Sequence, residues 1–350
     1  MGRRSYVRTI VGLACLLWAA ASAAEPPRVR LVATGGTISN RPGERLTAEE
    51  LVDLVPDLET YATVEAEQFS NVSSSSISLD DWLRLARRIN TLFAEQRDLA
   101  GIVVTSGTDT LEETAFFLHL TVLDERPVVV VGAMRNPSQL GYDGAANLRQ
   151  AFRVAAEPAS RGQGVLVVLN GQIDSARDVT KTDTHSLHTF TAKDRGILGL
   201  VDRDRIVYYH RLLSRHTASS EFDLTGVDTL PRVDIIMVYQ GASGDLIQSA
   251  VRSGARGVIV ASAGAGATSG TQREALAEVA DAGVTVVIAS RTGGGRIPPP
   301  SQQGAASSDA RRYPRIAAQD LTPLKSRILL MLALTRTDRL DEIQRMFNEY

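Results

Sequence analysis

Four short segments hold the side chains best suited to chemistry. They are Thr34-Gly35-Gly36-Thr37, the serine run Ser73–Ser76, Thr108-Asp109-Thr110, and Lys181 set between Thr180 and Thr182. Together they supply hydroxyls, a carboxylate and an amine. A hydroxyl is a weak nucleophile until a base takes its proton. A lysine drawn out of water gives up its own proton more readily and can serve as that base. Backbone N–H groups beside glycines can face a developing oxyanion. A threonine served by Thr, Lys and Asp in this way suits acyl transfer. Each segment also has a plainer reading: a tight turn at Gly35-Gly36, a polar turn at the serines, a helix cap at Asp109 with capping-box spacing to Glu112, and a solvated loop lysine at 181.

Other nucleophile systems find less support. No serine sits in a G-x-S-x-G elbow. His119, His185, His188, His210 and His216 form no recognisable catalytic arrangement. His185-x-x-His188 has no carboxylate or thiolate set beside it, so no metal site is expected. No G-x-G-x-x-G follows a strand, which argues against a dinucleotide-dependent oxidoreductase, and no cofactor is expected.

The elements that must position these groups alternate along the chain. Strand-length apolar runs occur at 29–33, 101–105, 127–134 and 164–169, with helical stretches at 79–93, 111–123 and 144–156 between them. Such alternation predicts an α/β fold whose larger N-terminal domain has a mainly parallel sheet flanked by helices. The pattern lapses over 213–232, which is polar and rich in Ser and Thr. It resumes with strands at 233–240, 257–266 and 284–290 and helices at 244–254 and 271–283, a second and smaller α/β domain. Residues 291–308 are rich in Gly, Pro and Ser and read as loop. The expected division is a leader over 1–24, an N-terminal domain over 25–212, a linker over 213–232 and a C-terminal domain over 233–350. Open α/β sheets bind ligands beyond the carboxyl ends of their strands, where the four segments fall.

Length and composition set bounds. At 350 residues, 43% hydrophobic and 22% charged, the chain is ordinary for a globular protein with room for two domains. A net charge of −2 without a basic run argues against a nucleic-acid partner. Arg3, Arg4 and Arg8 precede a short apolar run that ends in Ala21-Ser22-Ala23, the pattern of a cleaved signal peptide. Its removal takes away Cys15, the only cysteine, so the mature chain has no disulfide and no thiol nucleophile. An exported chain of this kind is expected in a bacterial periplasm, with no membrane attachment once the leader is gone.

The segments "ATGGTI" (33–38) and "GTDTLEETA" (107–115) resemble the two signature segments of the bacterial L-asparaginase/glutaminase family. "RPVVVVGAMR", "GVLVVLNGQIDSARDVTKT" and "LLMLALTRTDRLDEIQRMFNEY" are similar to it as well, so the likeness runs over residues 28–350. The resemblance implies hydrolysis of the side-chain amide of L-asparagine, with L-glutamine as a side substrate. Thr37 would attack the amide carbon and form an acyl-enzyme. Lys181 would take the proton through Thr108, while Asp109 fixes Lys181 and receives the substrate's α-ammonium. Ser74 would bind the α-carboxylate, and the backbone of Ala133 would line the amide pocket. A homotetramer is implied, each site completed by a neighbour's C-terminal domain, with residues 266–270, Ser269 among them, and the 291–308 loop in that role.

Four positions depart from the family pattern. The lid after the nucleophile, residues 38–48, is short and has no tyrosine, with Tyr142 the nearest replacement by motif. Ser106 stands where a histidine is usual, and Ser75 where Gln or Glu is common. Ser269 replaces an asparagine, and residues 301–310 hold no evident counterpart to the neighbour's glutamate. A lid-less homologue that only captures an amino acid is the alternative function. The amidotransferase subunit acting on charged tRNA resembles the same family, but the leader and the acidic balance argue against it.

Overall fold

The structure, a computed structural model, describes residues 25–299 and 313–350. The expected leader and the 301–310 segment lie outside the described residues. The chain opens with β1 (Arg28–Gly35), a small hairpin of β2 (Asn40–Arg41) and β3 (Glu44–Arg45), helix α1 (Ala48–Asp53) and β4 (Thr63–Val72). There follow α2 (Leu79–Glu95), β5 (Leu99–Thr105), α3 (Leu111–Thr121), β6 (Val128–Val131), α4 (Gly144–Ala156) and β7 (Val165–Leu169). The N-terminal half closes with β8 (Gln172–Ser175), a second hairpin of β9 (Thr180–Lys181) and β10 (Phe190–Thr191), β11 (Gly199–Val201) and β12 (Ile206–Tyr208). These strands build one eight-stranded sheet in the order β12-β11-β8-β7-β6-β5-β1-β4, and the two hairpins stand apart from it. The run from β4 to β7 is parallel, while β8, β11 and β12 pair antiparallel.

The middle strands β5, β6 and β7 are apolar runs rich in valine, as strands covered on both faces must be. All four residues of β6 are fully buried. Ser78 and Asp81 form a capping box at the start of α2, and Thr47 and Glu50 form another at α1. α3 has no polar face: ten of its residues are buried, His119 and Glu112 included. A helix apolar all round needs cover all round, and α3 has the N-terminal sheet on one side and the C-terminal domain on the other.

That second domain holds a four-stranded parallel sheet, β13 (Val233–Met237), β14 (Gly257–Ser262), β15 (Thr285–Ser290) and β16 (Ile316–Ala317), in that order. Helices α5 (Asp245–Arg252), α6 (Gly270–Asp281), α7 (Pro323–Ala333) and α8 (Leu340–Glu349) surround it. Between β12 and β13 the chain has no strand or α-helix, only a 3-10 turn at Thr217–Ser219. α7 packs against α3, and one continuous apolar cluster includes α2, α3, α7 and the inner face of the second sheet.

Candidate active site

The double glycine after β1 is a matter of backbone clearance. Gly35 and Gly36 sit at φ 103° and 93°, where a side chain is strained. A Cβ on Gly35 would lie 2.5 Å from the backbone of Val72, and one on Gly36 would lie 2.3 Å from the backbone nitrogen of Gly107. Gly107 repeats the theme, since its Cβ would meet the Ser74 hydroxyl at 2.8 Å. A Cβ on Gly132 would come within 2.7 Å of the Ser106 carbonyl oxygen and 3.2 Å of the Thr108 methyl. The ends of β1, β4, β5 and β6 therefore meet backbone to backbone, and Thr37, Ser74, Thr108 and Ala133 ride on that corner.

Thr37 begins a 3-10 turn (Thr37–Ser39) and is half-buried, with no hydrogen bond to its hydroxyl from the described residues. The turn itself is held firmly. Ser39 Oγ and Arg45 Nη1 donate to the Gly36 carbonyl at 3.1 and 3.2 Å. The Tyr142 hydroxyl donates to the carbonyl of Ile38 at 2.7 Å. Tyr142 thus touches the residue next to Thr37, and burial, helped by Asp143, pushes its phenol well above the usual tyrosine range. The lid segment is a tight hairpin, β2 and β3, turning at Gly43 with φ 84°.

Lys181 lies on β9, the first strand of the second hairpin, which follows β8 in the chain. Its ammonium donates to Thr108 Oγ1 at 3.0 Å and to Asp109 Oδ1 at 2.7 Å. The Lys181 side chain is 15% exposed and that of Asp109 76% exposed, so one end of the pair is enclosed and the other faces solvent. Asp109 does not cap α3. Thr110 holds the N-cap position without a side-chain cap, and its hydroxyl donates instead to the Ser74 carbonyl at 3.1 Å. Glu112, the other half of the expected capping box, turns toward the hairpin: it accepts the Lys181 backbone N–H at 3.1 Å and the Thr180 hydroxyl.

The remaining expected residues fall as follows. Ser74 is buried at the start of a 3-10 turn, whereas Ser75 is exposed and pairs, among the described residues, with Ser73 Oγ at 3.3 Å. Ser106 is buried with its hydroxyl on the Gly107 carbonyl at 3.2 Å. Ala133 is fully buried, and Asn147 Nδ2 braces the preceding carbonyl, that of Gly132, at 3.0 Å. Ser269 stands apart as the N-cap of α6, its N–H on Gln272 Oε1 at 3.2 Å. His185 and His188 lie in the turn between β9 and β10, and no group of three or more metal-binding side chains gathers among the described residues. The bond of Arg45 to the Gly36 carbonyl and the hold of Glu112 on Thr180 and Lys181 were not legible in the sequence. For Glu112 the hint was a carboxylate in the first turn of a largely apolar helix.

A threonine at a glycine-cleared corner, with a lysine bonded to a second threonine and an aspartate beside it, can do amide chemistry without a metal ligand set. The family model "Asparaginase, N-terminal" matches residues 28–214, and "Glutaminase/Asparaginase C-terminal domain" matches residues 232–347. The chain belongs to the asparaginase family. It is 41% identical over 334 residues to L-asparaginase 2 of Bacillus subtilis, covering 93% of this chain and 87% of that protein. It is 36% identical over 339 residues to the probable periplasmic L-asparaginase of Haemophilus influenzae, covering 94% and 95%. The crystal structure of a probable cytoplasmic L-asparaginase from Campylobacter jejuni superposes with a TM-score of 0.86 at 37% identity, covering 93% of this chain and all of that one. Asparaginase-family membership accounts for the two α/β domains and their order.

Proposed function

We propose that this chain hydrolyses the side-chain amide of L-asparagine to L-aspartate and ammonia through an acyl-enzyme on Thr37. The observation that carries the proposal is the Lys181 ammonium on Thr108 Oγ1 and Asp109 Oδ1 beside the glycine-cleared corner that bears Thr37. Acting as base, the Lys181 amine takes the Thr108 hydroxyl proton while Thr108 takes that of the attacking Thr37. The Thr37 oxygen bonds to the amide carbon, and the tetrahedral adduct expels the amide nitrogen as ammonia once Lys181 returns the proton. Water then cleaves the ester by the reverse route and restores Thr37. Asp109, open to solvent on its far side, receives the α-ammonium, and Ser74 receives the α-carboxylate. The backbone of Ala133 lines the amide pocket.

The test is ammonia release by the purified mature protein from L-asparagine and L-glutamine side by side, with Thr37→Ala and Lys181→Met as controls. Both variants should keep the parent circular dichroism and lose turnover. The short β2–β3 hairpin favours one rival, a homologue that binds the amino acid without turning it over. Binding by calorimetry without ammonia would establish that rival.

The same reading includes export and assembly. The three arginines, the apolar run and the small residues before Glu25 support cleavage near residue 24 and release into the periplasm. Among the described residues no helix is long and apolar enough to cross a membrane. Intact mass of protein recovered from the periplasm of a Gram-negative host should lack the leader. The assembly is a homotetramer in which Ser269 and its flanking residues reach a neighbour's site, and light scattering of the mature protein should give four copies.

A further inference from the structure

α7 belongs to the C-terminal domain, yet one of its side chains reaches into the N-terminal one. Lys325 is 1% exposed. Its ammonium donates to the carbonyl oxygens of Arg177 at 2.8 Å and Val179 at 2.5 Å, with the Phe116 ring centroid 5.9 Å away. These carbonyls lie in the turn that joins β8 to β9, the nearer only two residues before Lys181. Glu112, itself buried, grips the same segment from α3 through the Lys181 N–H and the Thr180 hydroxyl. Arg177 adds a third hold, pairing with Asp178 and Asp320 at 2.8 Å each.

A charge placed out of water is costly, and two neutral carbonyls do not cancel it. Burial accordingly pulls the Lys325 amine down to about 8, against the attraction of Glu112, Asp178 and Asp174 and with the repulsion of Arg177. An apolar residue would fill the slot more cheaply. What it would not do is fix the two carbonyls in place.

We infer that Lys325 and Glu112 are positioning residues for Lys181, clamping the 177–181 segment from two domains so that the Lys181 ammonium reaches Thr108 and Asp109. The inference rests on the proposed role of Lys181 in amide hydrolysis. It makes the C-terminal domain part of its own subunit's site, through a contact that touches no substrate.

The experiment compares kcat and KM for L-asparagine in the full mature chain and in Lys181→Met, Lys325→Met, Lys325→Arg and Glu112→Gln, each per folded molecule. Displacing a reacting group by about 1 Å costs on the order of 100-fold. Lys325→Met should therefore lower kcat by about 10- to 100-fold with KM within about threefold, and Lys325→Arg should recover part of the loss. Glu112→Gln should show the same split in milder form, and it decides the matter if Lys325→Met does not fold. A purely structural role would lower the melting temperature and leave kcat per folded molecule unchanged. Folded variants at both positions with kcat within about twofold of the parent, beside an inactive Lys181→Met, overturn this inference alone. An active Lys181→Met overturns the reading of the site and this inference with it.

Discussion

The Asp109 carboxylate meets the Lys181 ammonium at 2.7 Å and leaves most of its surface to solvent, so it has room for a second cation. Asp109→Ala should therefore raise KM for L-asparagine as well as lower kcat. Each change should be roughly tenfold or more, the scale of one lost charge-assisted hydrogen bond. A fall in kcat alone, in steady-state kinetics, would remove the α-ammonium from its partners. Asp174, on β8, is a different kind of carboxylate. It is buried, and its Oδ1 has no hydrogen-bond partner among the described residues. Burial pushes it up to about 7, with Lys325 partly opposing and Asp178 adding to the rise. In the unfolded chain it titrates at about 3.9. Between those values the native state holds a proton that the unfolded state has lost, so this group costs nothing below the lower value. Its cost grows as pH rises and levels off above about 7. The stability gain of Asp174→Asn over the parent should then increase between pH 4 and 7, to a few kcal/mol. Urea unfolding across that range checks it.

Elements decide where the groups stand, and here the glycine corner matters most. Gly36→Ala places a methyl on the Gly107 backbone at a φ that already disfavours it. A loss of about 3 kcal/mol or more is expected, measured by chemical denaturation. Tyr142→Phe removes only the bond to the Ile38 carbonyl, so stability should change by about 1 kcal/mol. If that bond holds the Thr37 turn for catalysis, kcat falls while KM stays. The residues at this corner were legible in the sequence, but the reason for them was not: nothing in a Gly-Gly pair tells which backbone will come close. Asp109 and Glu112 carried a capping signature because the same residue types cap helices and bind lysines. Among strands, those buried on both faces were easily read. β4 at the sheet edge, TVEAEQFSNV, mixes polar and apolar residues, and β11 and β12 have three residues each, too few to show a period. The antiparallel end of the sheet was hidden for that reason.

At the scale of the whole molecule, the apolar cluster that holds Ile89, Phe116 and Val130 also holds Val233, Ile259, Ile328 and Met331. α3 and α7 are its meeting point, and most of each helix is buried. Calorimetry of the mature chain should show one unfolding transition rather than two, because melting either domain strips the other. A second transition well separated from the first would mean that the shared core is weaker than its packing suggests.

This shared core also limits how the family's sequences can be recombined. Residues 213–232 look like a natural crossover point for joining the front of one relative to the back of another. A break there parts α3 from α7, and with them Phe116 from Lys325 and the Arg177 carbonyl from the amine that holds it. Hybrids made at that point inherit halves of one interior from two parents. Those that keep α3, the 177–181 segment and α7 from a single parent should be the ones that fold and work.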